Sequence, residues 1–75
     1  SCEHFKREDL IKFINKTPEG IKFCLQSNNY YGIEGHINCS NSLGDFVKYL
    51  PLTEFDYAGE LELEKYNRFM VIGTK

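Results

Sequence analysis

Five side chains in this sequence, methionine aside, are soft metal ligands: Cys2, His4, Cys24, His36 and Cys39. Two groups lie close along the chain, Cys2-Glu3-His4 and His36-Ile37-Asn38-Cys39, and four such ligands can surround a tetrahedral zinc ion. The spacing lacks the C-x2-C turn that usually nucleates such a centre. On an extended strand His36 and Cys39 also point to opposite faces. The residues therefore read as scattered thiols and surface histidines, and neither a metal nor a cofactor is expected. Nucleophilic catalysis needs a thiol or hydroxyl beside a base and an orienting acid. Glu34 and His36 share one strand face, and Cys24 on a neighbouring strand can lie across from them. A half-exposed sheet offers this trio no cleft and no oxyanion donors, so polar surface pairing accounts for it better and no catalytic residue is assigned. Glu60, Glu62 and Glu64 alternate and so share a face, but open solvent leaves them without the environment a general acid requires. They form a solvated face or a docking surface for a basic partner.

These residues are positioned by a short series of elements. Residues 5–16 read as a helix, with Phe5, Leu10, Ile11, Phe13 and Ile14 gathered on one flank and Glu8 and Lys12 forming a favourable pair one turn apart. Thr17-Pro18-Glu19-Gly20 stops it. Strands are expected over about 21–26, 30–39, 52–55, 60–66 and 68–72, each from an alternating apolar pattern. Leu61 and Leu63 are assigned inward, and Asp56-Tyr57-Ala58-Gly59 a turn. Leu43, Phe46, Val47 and Leu50 have helical spacing, and Ser42 with Asp45 resembles a capping box, so a short helix is expected over about 43–49.

Composition narrows the class. The 75 residues are 41% hydrophobic and 27% charged, with a net charge of -2, which suits one small domain and argues against binding nucleic acid chiefly by counterion release. No apolar run reaches the roughly 18 residues of a membrane span, and no leader of the secretory type is seen. Three cysteines make an odd number, so free thiols in the cytoplasm are the default. A Cys24–Cys39 bridge with Cys2 left over stays open for an exported chain.

Gly35, among the inward residues of the 30–39 segment, weakens a straight strand and suits a sharply bent one. The expected architecture is mainly β (α+β): a small, strongly bent five-stranded antiparallel barrel with an N-terminal helix and a short helical insertion. An open antiparallel sheet with the helix across one face is the alternative. The segments Ile21–Gln26, Tyr31-Gly32-Ile33-Glu34-Gly35-His36-Ile37 and Tyr66-Asn67-Arg68-Phe69-Met70-Val71-Ile72 resemble the strands of Sm-like and SH3-like small barrels. Residues 42–52 resemble an insertion in uncharacterised bacterial members. That group's RNA-binding signature is missing: Asn38-Cys39-Ser40-Asn41-Ser42 has no methionine, and Arg68 is followed by Phe69 rather than glycine. The resemblance implies ring formation through the fourth and fifth strands without the RNA site.

So many aromatics exceed what a core of this size can enclose. Tyr30, Tyr49, Tyr57, Tyr66 and Phe69 are the expected contact residues, since exposed aromatics often dominate protein interfaces. The resulting expectation is a non-enzymatic interaction domain that binds a protein partner or itself as a homo-oligomer, with no membrane partner. A small nucleic-acid-binding barrel is the alternative.

Overall fold

The computed structural model describes all 75 residues. A 3-10 turn over Cys2–His4 leads into α1 (Arg7–Lys16), β1 (Lys22–Asn28), α2 (Leu43–Tyr49), β2 (Glu54–Glu62) and β3 (Asn67–Thr74). The strands form one antiparallel sheet in the order β1-β3-β2. It is open at both edges and does not close into a barrel. The five-stranded barrel and the Sm-like resemblance are therefore overturned, and the open-sheet alternative describes the chain.

Three local causes explain the difference. Residues 30–39 form a loop, because Gly32 and Gly35 take positive φ angles of 80° and 86° that interrupt an extended run. The amide of His36 donates to the Ile33 carbonyl at 3.0 Å, which puts Gly35 where a type II turn calls for glycine. Ile33 and Ile37 consequently face solvent. Secondly, the expected strands 52–55 and 60–66 are replaced by a single strand, β2, which absorbs Asp56 as an irregularity in register between Phe55 and Tyr57. Lys22 on β1 reaches Asp56 at 2.6 Å, and that hydrogen bond holds the lysine ammonium above its ordinary pKa. Thirdly, the chain reverses at residues 63–66, where the Leu63 amide donates to the Tyr66 carbonyl at 2.9 Å. Leu61 and Leu63, expected inward, are 58% and 39% exposed.

α1 ends where Thr17 precedes Pro18, with the Thr17 hydroxyl donating to the Ile14 carbonyl at 2.6 Å. Glu8 and Asp9 in its first turn and Lys16 in its last complement the helix dipole. The Glu8–Lys12 ion pair is not formed. In α2 the Ser42 hydroxyl accepts from the Asp45 amide at 3.1 Å, a cap that contributes about 1 kcal/mol.

Both helices lie on one side of the sheet, where Phe69 and Val71 of β3 point, and a small core forms from Ile14, Phe46, Leu50, Phe69, Val71 and Cys2. Register places Leu25 and Ser27 of β1 on that side opposite Val71 and Phe69. The opposite face carries Cys24, Gln26, Arg68, Met70, Ile72, Tyr57 and Leu61. The extents of 36 × 23 × 15 Å allow one sheet and one helical layer but no covering for that second face. No helix is long and apolar enough to cross a membrane.

Candidate interaction face and the Glu3–His4–His36 cluster

Two features stand apart from ordinary packing. The first is β2. It lies at a sheet edge, and all of its nine residues except Gly59 are exposed. Phe55 and Tyr57 are 41% and 52% exposed. The Tyr57 ring lies across Gly59, where a Cβ would displace it. Glu54, Glu60, Glu62 and the adjacent Glu64 form no ion pair; Glu60 Oε2 accepts from the Asn67 side-chain Nδ2, at 2.7 Å. An edge strand offers unpaired backbone donors and acceptors, and this one surrounds them with acid and exposed apolar side chains.

Of the expected contact residues, Tyr57 alone stands exposed. Tyr30 and Tyr66 are half-buried and stack on each other at 4.4 Å. Tyr49 is half-buried under the Arg7 guanidinium, which lies 4.2 Å from its ring centre. Burial raises the Tyr49 phenol pKa. Phe69 is 1% exposed and belongs to the core.

The second feature sits where the Cys2–His4 turn meets the loop after β1. The Ile37 and Asn38 amides both donate to the Glu3 carbonyl, at 2.8 and 3.0 Å, which brings His36 beside His4 with ring centres 5.2 Å apart. The Glu3 side chain is buried between them. Its Oε2 lies 3.3 Å from His4 Nε2, while Oε1 is enclosed with no hydrogen-bond partner. His4 Nδ1 faces the Gly35 carbonyl at 3.0 Å, and His36 Nδ1 faces the Tyr30 carbonyl at 2.9 Å. Sequence spacing brought His4 and His36 under suspicion but missed Glu3, the residue that joins them. Its neighbours Cys2 and His4 were the only available signal, and burial of a carboxylate in a single turn leaves no periodic trace.

The cysteines lie outside this cluster and form no disulfide. Cys24 is exposed on the uncovered sheet face, so the Cys24–His36–Glu34 arrangement is not assembled. The Cys39 thiol contacts the Asn28 Oδ1 and Tyr30 carbonyl at 3.4 and 3.5 Å. Desolvation, then the Glu3 charge, raises its pKa. Cys2 is pushed from 9.0 up to about 11, chiefly by burial. A thiol whose folded pKa is raised stabilises the fold below its unfolded value, and that contribution disappears as pH climbs through the folded one. Urea unfolding midpoints should therefore fall between pH 9 and 11, and a Cys2→Ala variant should show a shallower fall over the same window. An equal slope in the variant would assign the alkaline loss to other groups. No family model, curated protein or solved structure matches this chain.

Proposed function

We propose that the chain is a non-enzymatic interaction module that takes an extended, basic segment of a partner protein alongside edge strand β2. The support is the chemistry of that edge: free backbone groups flanked by Glu54, Glu60 and Glu62, none of them neutralised by a cation, with Phe55, Tyr57 and Leu61 exposed between them. Strand addition supplies main-chain hydrogen bonds, and side chains at alternate positions supply selectivity. An entering strand that alternates apolar residues with Lys or Arg matches both properties.

A second copy of the chain fits poorly. Pairing of two β2 edges would bring two sets of Glu54, Glu60 and Glu62 together, and like charges on adjacent strands are destabilising. The edge is thus protected from self-pairing by its own charge, as exposed edges commonly are. The same acid opposes a phosphate backbone, which works against the nucleic-acid alternative. Three free thiols suit a reducing compartment, and the cytoplasm is the proposed location.

The test uses two blocked ten-residue peptides, one alternating valine with lysine and one alternating valine with glutamate, titrated into the labelled full chain. The lysine peptide should shift the β2 amides and protect them from exchange, and its affinity should fall severalfold as salt passes the range where the Debye length drops to about 8 Å. Glu60→Lys combined with Glu62→Lys should reverse the preference between the peptides. Equal binding of both peptides, or shifts confined to residues outside β2, would reject the reading. So would a dimer of the free chain with protected β2 amides.

A further inference from the structure

We infer that Glu3, His4 and His36 form a binding site for a first-row divalent transition-metal ion, zinc being the reference case. One ligand atom from each residue lies within 4.8 Å of the other two. Two independent features of the cluster point to a cation.

The first is a proton count. A neutral imidazole carries one N–H and one lone pair. Nδ1 of each ring faces a backbone carbonyl, Gly35 for His4 and Tyr30 for His36, and a carbonyl can only accept. Each Nδ1 must therefore hold the hydrogen, which leaves Nε2 of each ring as a lone pair. His4 Nε2 lies 3.3 Å from Glu3 Oε2, and a carboxylate oxygen is also an acceptor. Two acceptors in contact need a proton or a cation between them: a second ring proton, a carboxyl proton or a metal ion. Donation of the remote ring nitrogen to a carbonyl is also the usual way a metal-binding histidine is oriented, and both histidines here share it.

The second is the state of Glu3. The residue is 5% exposed, and its Oε1 is buried with no hydrogen-bond donor. A buried carboxylate oxygen without a donor is costly. A cation coordinated by the carboxylate removes that cost.

Two imidazoles and a carboxylate favour zinc or a neighbouring transition metal over calcium or magnesium, which prefer all-oxygen shells. Bonds of roughly 2.0–2.1 Å in tetrahedral array separate ligand atoms by about 3.4 Å, so binding draws the three groups together from their present spread. The His4 side chain is 50% exposed, which leaves the fourth position open to water. Binding would also lock the 3-10 turn to the loop after β1, two segments now joined mainly by backbone hydrogen bonds.

The experiment uses the full chain in a Cys24→Ser background, which removes the one exposed thiol as an adventitious ligand. Zinc is titrated into chelator-stripped protein by calorimetry, and Co2+ serves as the spectroscopic probe. The expected result is one ion per chain, with a cobalt spectrum lacking a thiolate charge-transfer band. Nitrogen-15 spectra should show metal-induced shifts at Nε2 of His4 and His36 with both Nδ1–H protons retained. His36→Asn keeps a donor for the Tyr30 carbonyl but removes Nε2, and should weaken zinc roughly 100-fold while the chain stays folded. Glu3→Gln should weaken it comparably and, with chelator present, should leave the protein at least as stable as the parent. Absence of zinc uptake would overturn the inference. Uptake undiminished in His36→Asn, or a thiolate band in the cobalt spectrum, would do the same.

Discussion

Phe46→Ala should remove roughly half of the chain's folding free energy. Phe46 is 0% exposed, and its ring meets those of Tyr49 and Phe69 with centres 5.8 and 6.5 Å apart. It is thus the side chain through which α2 rests on the central strand. Truncating a buried phenylalanine costs about 3–5 kcal/mol once the cavity is included. A chain of this length has roughly 4–11 kcal/mol in total, and with 13 of 75 residues buried little remains to redistribute the loss. Far-UV circular dichroism and urea titration would report it directly. Phe46→Leu, which keeps most of the volume, should lose about 1–2 kcal/mol and stay folded. An alanine variant that unfolds within about 1 kcal/mol of the parent would show that α2 is not anchored through this ring.

Asn38→Ala should be the most damaging polar substitution. Asn38 is 5% exposed and ties three elements together. Its Nδ2 donates to the Cys2 carbonyl at 3.4 Å and to the Tyr49 hydroxyl at 3.3 Å, and its Oδ1 accepts from Arg7 Nε at 3.1 Å. Alanine removes all three hydrogen bonds at once: the Tyr49 hydroxyl and Arg7 Nε lose this partner, and the Cys2 carbonyl keeps only the Phe5 amide, at 3.2 Å, each lost bond costing about 0.5–1.5 kcal/mol. A total near 2–4 kcal/mol is expected, read from urea midpoints. In a double-mutant cycle, Arg7→Ala and Asn38→Ala should couple by more than about 0.5 kcal/mol. Simple additivity would mean that the Arg7 contact contributes nothing.

The same residue shows where sequence reasoning ended. Read as part of an alternating run, Asn38 was one polar side chain on a strand, because Ile33, Ile37 and the residues between them keep period two. The run is genuine, but the backbone angles at Gly32 and Gly35 decide against it, and alternation carries no information about φ. Helical spacing was more dependable: Leu43, Phe46, Val47 and Leu50 do set one flank of α2 against the core, because a cap and a 3.6-residue period reinforce each other. The alternating pattern points Leu61 and Leu63 inward, yet Leu61 lies on the uncovered face of β2 and Leu63 in the reversal that follows it, and both are exposed. At the histidine cluster the ligand types were visible in sequence. Their convergence was not, since it depends on two amides reaching the Glu3 carbonyl across more than thirty residues.

The placement of β3 between β1 and β2 has a consequence for how the fold is reached. β1 and β2 never touch as a ladder, so no sheet exists until the last strand arrives. β2 and β3 meet across a tight reversal and can zip within microseconds, whereas Asn28 must find Arg68, and Lys22 must find Thr74, by closing loops whose entropy is lost before any contact compensates it. Assembly therefore runs backwards along the chain: the late segment forms the template, and the early one docks onto it.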